Sequence, residues 1–301
     1  MELFGREYRI MWYNFCQNKK TLKYKGKTMF KLFKLILISS LVMITPSSLM
    51  ADATVSDTKS TNITHQEAID NLMNLSGLSG QIPELSSGLI NSFVPYLTKM
   101  RQDIRVELSN VINKSFGKEV MLQTIRDEVS KSVSLEDTLN MLNWYNSDVG
   151  KEITKAEDRA MAEVDVEGLM SQKDALFKDK QRVALCTQIE EQAQITDFLV
   201  DTQIEVIKAT QKVTQPSSDS KAQDDYFDAL KKEVKKSIKE QTILSLLKSY
   251  ESIETDKMKR YLEFLRKETT KNFLVSGYGG IQKAILNGTN RVLKEAINLA
   301  K

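Results

Sequence analysis

The feature that most constrains this chain is the recurrence of apolar residues at three- and four-residue steps with little to interrupt it. Leu97, Met100, Ile104, Leu108, Val111 and Ile112 follow that spacing, which gathers them on one stripe of a helix and leaves polar residues on the other face. Only 4 prolines and 12 glycines punctuate 301 residues, so few positions stop a helix once it has begun. Shorter stripes run through Ile69, Leu72, Met73 and Leu75, and through Leu122, Ile125 and Val129. Others run through Leu139, Leu142 and Tyr145, and through Val149, Ile153, Ala156 and Ala160. The expected fold is all-α, a multi-helix bundle.

Local signals place the boundaries. Thr64-His65-Gln66-Glu67 has the capping-box pattern, and the helix it opens should end near Ser76-Gly77. Pro83 suits the first turn of the next helix, and Pro95 should kink or divide it. Ser134 with Asp137, and then Ser147, can cap the two helices that follow. From Glu167 to Lys212 no Pro or Gly occurs after Gly168, which reads as one long helix or two nearly continuous ones. Gln215 to Ser220 is linker-like, and Gly277-Tyr278-Gly279-Gly280 is expected to break the chain. Lys231, Lys232, Lys235, Lys236 and Lys239 are interleaved with acids and read as a solvated face.

Residues 1–53 read as a leader rather than as structure. From Met29, Lys31 and Lys34 precede an apolar run from Leu35 to Ile44 and then Ala51-Asp52-Ala53, the order of a signal peptide with an A-x-A cleavage site. The run falls short of the ~20 residues that span a bilayer, so no stable membrane span is expected in the mature form. The basic residues before Met29 suggest that Met29 is the true start, and the alternative is an N-terminal membrane anchor. Of the 43 basic and 40 acidic residues, 9 and 3 lie in the leader, so residues 54–301 hold 34 against 37 and a net charge of about −3. That balance offers nothing to attract a phosphate backbone, and nucleic acid is not an expected partner. The expected location is the periplasm. Cys186, the one cysteine outside the leader, has apolar neighbours and reads as a small buried hydrophobe.

Sliding the chain by 120 residues aligns Met141-Leu142 with Tyr261-Leu262, Trp144-Tyr145 with Phe264-Leu265, and Lys151 with Lys271. The bundle is therefore read as two degenerate helical repeats joined by long central helices. The segments are 54–82 as a polar stretch and first helix, 83–165 as the first module, 166–221 as connecting helices and linker, and 222–301 as the second module.

The stretch Leu139 to Lys151 contains Trp144-Tyr145-Asn146-Ser147-Asp148-Val149-Gly150-Lys151. It resembles the aromatic-Tyr-x-Ser-x-x-Gly-Lys segment of exported bacterial proteins of the domain of unknown function 2059 family, with Asp148 where that family usually has Pro. The resemblance covers residues 95–165, with a fainter copy at 244–275, and implies a small helical periplasmic module. Trp144, Tyr145, Ser147, Gly150 and Lys151 are thus the candidate contact residues. Their structural reading is that Trp144 and Tyr145 close one helix, Ser147 caps the next and Gly150 lets the two approach.

His65 is the only histidine, which leaves no His-based triad or His metal cluster, and G-x-S-x-G, Walker and H-E-x-x-H motifs do not occur. Neither catalytic activity nor a cofactor is expected. The reading that follows is a periplasmic interaction or chaperone-like module with an unidentified protein partner. The alternative is a carrier of an apolar or amphipathic small molecule in a cavity between the repeats. Sequencing of the exported protein is expected to begin at Asp52 or Thr54; recovery of residues 30–50 intact in the membrane fraction would establish the anchor instead.

Overall fold

The computed structural model describes residues 63–98, 100–162, 166–214 and 220–299, all helical with no strand among them. The leader and Gln215 to Asp219 lie outside these residues. The helices are α1 (His65–Leu75), α2 (Leu78–Ser92), α3 (Val94–Leu97), α4 (Gln102–Ser115), α5 (Lys118–Ser132), α6 (Leu135–Tyr145) and α7 (Asp148–Ala162). They continue as α8 (Val166–Ser171), α9 (Lys173–Leu176), α10 (Lys180–Ala193), α11 (Ile195–Thr214), α12 (Ser220–Ser249), α13 (Thr255–Leu265) and α14 (Glu268–Leu299). Among the described residues no helix is long and apolar enough to cross a membrane.

The local boundary signals act as read. Thr64 and Glu67 form a complete capping box, and Ser134 Oγ accepts the Asp137 N–H at 3.1 Å. The chain divides at Phe93, just before Pro95, so that α3 is a separate short turn. Pro83, in contrast, lies inside α2 rather than in its first turn.

Two boundary readings are corrected. Gly277 to Gly280 does not break the chain: α14 runs through it as one 32-residue helix. A Cβ on Gly280 would lie 2.7 Å from Ile125 Cα, so the bare backbone here is a notch that admits α5, and packing outweighs the glycine's poor helix propensity. The connector is likewise not one long helix, because α8 to α11 are four pieces. Asp179 caps α10, and the left-handed Gln194 (φ 56°) ends it. Buried Glu190 then turns back to accept the Thr196 N–H at 3.1 Å, tying the end of α10 to the start of α11.

The central column is α14, packed most extensively on α5 and also on α4 and α11. The main core gathers Ile69, Leu72, Met121, Ile125, Ile153, Leu247, Tyr250 and Ile281 from helices along the whole chain. A second cluster under α3, α4 and the end of α14 holds Leu97, Leu108, Ile112, Phe116 and Val292, and a third lies between α11 and α12. The lysine-rich face of α12 is partly an ion-pair ladder. Lys231 meets Asp201 at 2.5 Å, Lys235 pairs with Asp197 and Lys239 meets Glu191 at 3.0 Å, while Lys232 and Lys236 stay exposed.

Helices α6 and α13 begin and end 120 residues apart, and so do the starts of α7 and α14. Asn146 N–H bonds Leu142 O where Arg266 N–H bonds Leu262 O, so the turn after each helix is built alike. The segment boundaries at 83 and 222 fall inside α2 and α12 respectively.

The glycines of α14 give a direct test. Gly280→Ala should destabilise by about 1–2 kcal/mol, overpacking against Ile125 outweighing the propensity gain. Gly279, whose Cβ would meet nothing within 4 Å, should gain about 0.5–1 kcal/mol as Ala. Urea midpoints at constant m-value measure both.

Candidate functional site

The turn between α6 and α7 is built by the residues singled out from sequence. Ser147 Oγ accepts the Gly150 N–H at 3.1 Å and donates to Trp144 O at 2.6 Å. A Cβ on Gly150 would overlap Trp144 O and lie 2.8 Å from Tyr145 Cα, so only glycine lets α7 fold back this tightly. Lys151 is exposed and makes no ion pair among the described residues, so it stands apart from the rest.

Trp144 is only half-buried, whereas full burial is what its place in the apolar register suggests. It lies flat on Phe264 of α13, ring centroids 3.9 Å apart and planes 6° from parallel, and also stacks on Tyr261 at 5.5 Å. Tyr145 meets Phe264 edge-on at 5.5 Å. Phe264 is the buried partner, at 2% exposure. The place where the two 120-residue counterparts meet is therefore a filled aromatic seam rather than a cleft.

Beneath that seam lies a group the sequence reading passed over. Glu157 of α7 accepts a hydrogen bond from Oη of Tyr250, in the turn that follows α12, at 2.5 Å and another from the Tyr261 hydroxyl of α13. Tyr145 of α6 and Tyr278 of α14 complete the surroundings, and Phe198 of α11 stacks on Tyr278 at 4.4 Å. Glu157 keeps a little accessible surface, but its carboxyl is packed round by protein. That burial pushes its pKa up to about 7 against the pull of the two tyrosine donors, with neighbouring Asp158 adding to the rise. Burial alone raises Asp158 to about 6. The four phenols are pushed upward by burial, with the nearby Glu157 charge adding to it.

A signal for Glu157 did exist. It follows Ile153 by four residues and Val149 by eight, so it sits on the buried face of α7, where a lone carboxylate is out of place. Chemically, the arrangement can hold a proton on Glu157 near neutral pH and, once that proton is lost, meet the carboxylate charge with hydroxyl donors. No cluster of metal-ligating side chains occurs among the described residues. Cys186 is fully buried, and burial pushes its thiol up to about 12, in keeping with a packing role.

The raised pKa of Glu157 means that the fold favours its neutral form. Its contribution is fully present below pH 4.5 and is lost as pH rises through 7, a difference of at most about 3 kcal/mol. The hydrogen bond from Tyr250 favours the ionised form, so Tyr250→Phe should cost about 1.5–3 kcal/mol at pH 8 and clearly less at pH 5. Thermal melts at the two pH values read the difference, and equal losses would contradict it. Comparison of the chain with protein-family models, with curated proteins and with solved structures finds no match.

Proposed function

We propose that this chain is an exported interaction module, of periplasmic location, that holds apolar segments of other polypeptides on the outside of its helices. The observation that carries this reading is the filled seam: Trp144 lies on Phe264 at 3.9 Å, where a carrier would need empty space. Two surface depressions are open to solvent. One is lined by Gln102, Asp103, Val106, Glu107 and Asn110 of α4, and the other by Glu119, Val120, Gln123, Thr124 and Arg126 of α5.

Apolar surface is instead found outside. Val94 and Tyr96 of α3, Val106 of α4 and Ile297 of α14 are each more than a third exposed, and their helices enclose the small second core. Isolated exposed apolar residues are ordinary, but four on the helices around one five-residue cluster give a partner apolar side chains to cover. Export rests on the signal-like leader and on the resemblance of the Trp144 to Lys151 segment to the domain of unknown function 2059 family. Duplication is supported by the coincident boundaries of α6 and α13.

The test uses a chemically unfolded client whose aggregation is followed by light scattering. The wild-type protein should suppress scattering near stoichiometric ratio. A Val94→Asp/Val106→Asp/Ile297→Asp variant should lose that effect while its melting temperature stays within a few degrees, since exposed substitutions change stability by about 0.5 kcal/mol or less each. No suppression by the wild type, together with a copurifying apolar molecule in mass spectra, would turn the reading to a carrier.

A further inference from the structure

The C-terminal half of α7 is held by polar chemistry more than by apolar burial. Its stripe begins with buried Val149 and Ile153 and dwindles to Ala156 and half-buried Ala160. Alanine removes little area from water, so the hydrophobic grip weakens along the helix. Where it weakens, two consecutive carboxyls follow, and Glu157 is the one held by hydrogen bonds. Glu157 reaches Tyr250 in the turn after α12 and Tyr261 on α13. Asp158 projects about 100° further round the helix. It lies at the turn between α1 and α2, its Oδ1 4.0 Å from where a Gly77 Cβ would be.

We propose that α7 is a proton-controlled latch: with Glu157 and Asp158 protonated, its C-terminal half is seated between the α1–α2 turn and the α12–α13 junction, and loss of the two protons unseats it. The surroundings set the direction. Glu157 faces Tyr145 from α6, Tyr250 from the α12–α13 turn, Tyr261 from α13 and Tyr278 from α14. Behind those rings lie Cys186 and Glu190 of α10.

On α7 itself Lys155 and Arg159 point into solvent, and two cations of the neighbouring helices are engaged elsewhere. Lys257 of α13 pairs with Glu152 at 2.7 Å, and Arg182 of α10 donates to the Tyr250 and Ile253 carbonyls. No cation pairs with Glu157 or Asp158 among the described residues, and the Asp158 charge adds to the rise at Glu157. Burial holds Glu157 near 7 and Asp158 near 6, so the seated state is favoured below pH 6 and weakened above 7. The strongly depressed carboxyls, Glu128 and Asp103 near 2, change charge well below this window.

Amide hydrogen exchange on the full chain at pH 5.5 and 8.5, corrected for the intrinsic rate, reads the latch locally. Protection of α7 amides from 154 to 162 should fall by on the order of tenfold to a few hundredfold between the two pH values, the ceiling set by tenfold per unit of pKa shift. Amides of α5 and the middle of α14 should change far less. In Glu157→Gln, which keeps the shape and accepts the tyrosine hydrogen bonds without charge, the loss at α7 should shrink to a few-fold. An undiminished loss in that variant would overturn the proposal. So would a wild-type protein in which α7, α5 and α14 lose protection together, a result that needs no variant to fold. The outcome is independent of whether the outer surface binds clients.

Discussion

The contact of α14 with α5 at Gly280 is the constraint on which the rest of the structure depends. With no side chain there, the two backbones approach until Ile125 fills the notch, and α14 becomes a column about 48 Å long that other helices can share. Its middle serves the main core through Ile281, Ala284 and Ile285, its end serves the second cluster through Val292, and α11 packs along it as well. A larger residue at 280 would push α5 outward and with it α1 and α2, which pack on α5.

Around this column the aromatic seam joins α6 to α13 and conceals an acid. Stacked and edge-on ring pairs contribute about 0.5–1.5 kcal/mol each beyond the area they bury. The Trp144, Tyr145, Tyr261 and Phe264 contacts can therefore offset the cost of taking the Glu157 carboxyl out of water. The acid in turn makes the seam directional, since Tyr250 and Tyr261 must present hydroxyls to one point. A purely apolar seam of the same area would tolerate sliding; a buried carboxyl with defined donors favours one register.

Legibility in the sequence followed the range of the interaction. The Thr64 box, the Ser134 cap and the Ser147 cap act within three residues, so their chemistry is written beside them. Gly150 was readable for the same reason, because its close neighbours are Trp144 and Tyr145. Gly277 to Gly280 was misread because a glycine that breaks a helix and one that admits a neighbour look alike until the neighbour is known. The stop at Gln194 had no local signature, since the residue that holds the α10–α11 corner is Glu190, already inside the preceding helix. Glu157 sat in the inward register of α7, but its meaning depended on Tyr250 and Tyr261, 93 and 104 positions along the chain.

The sequence by itself determined that this chain is helical, where its best-capped helices begin, which faces mostly turn inward and which simple catalytic motifs do not occur. Those properties follow from periodicity and side-chain-to-backbone bonds, which act over a few residues. Only the tertiary structure decided that the glycine run is a packing notch, that the connector is broken into short helices, and that Trp144 rests half-exposed on a buried Phe264. It alone gathered four tyrosines, three from different helices and one from the α12–α13 turn, around one carboxyl, because desolvation arises from everything that surrounds a group and no stretch of sequence holds that information.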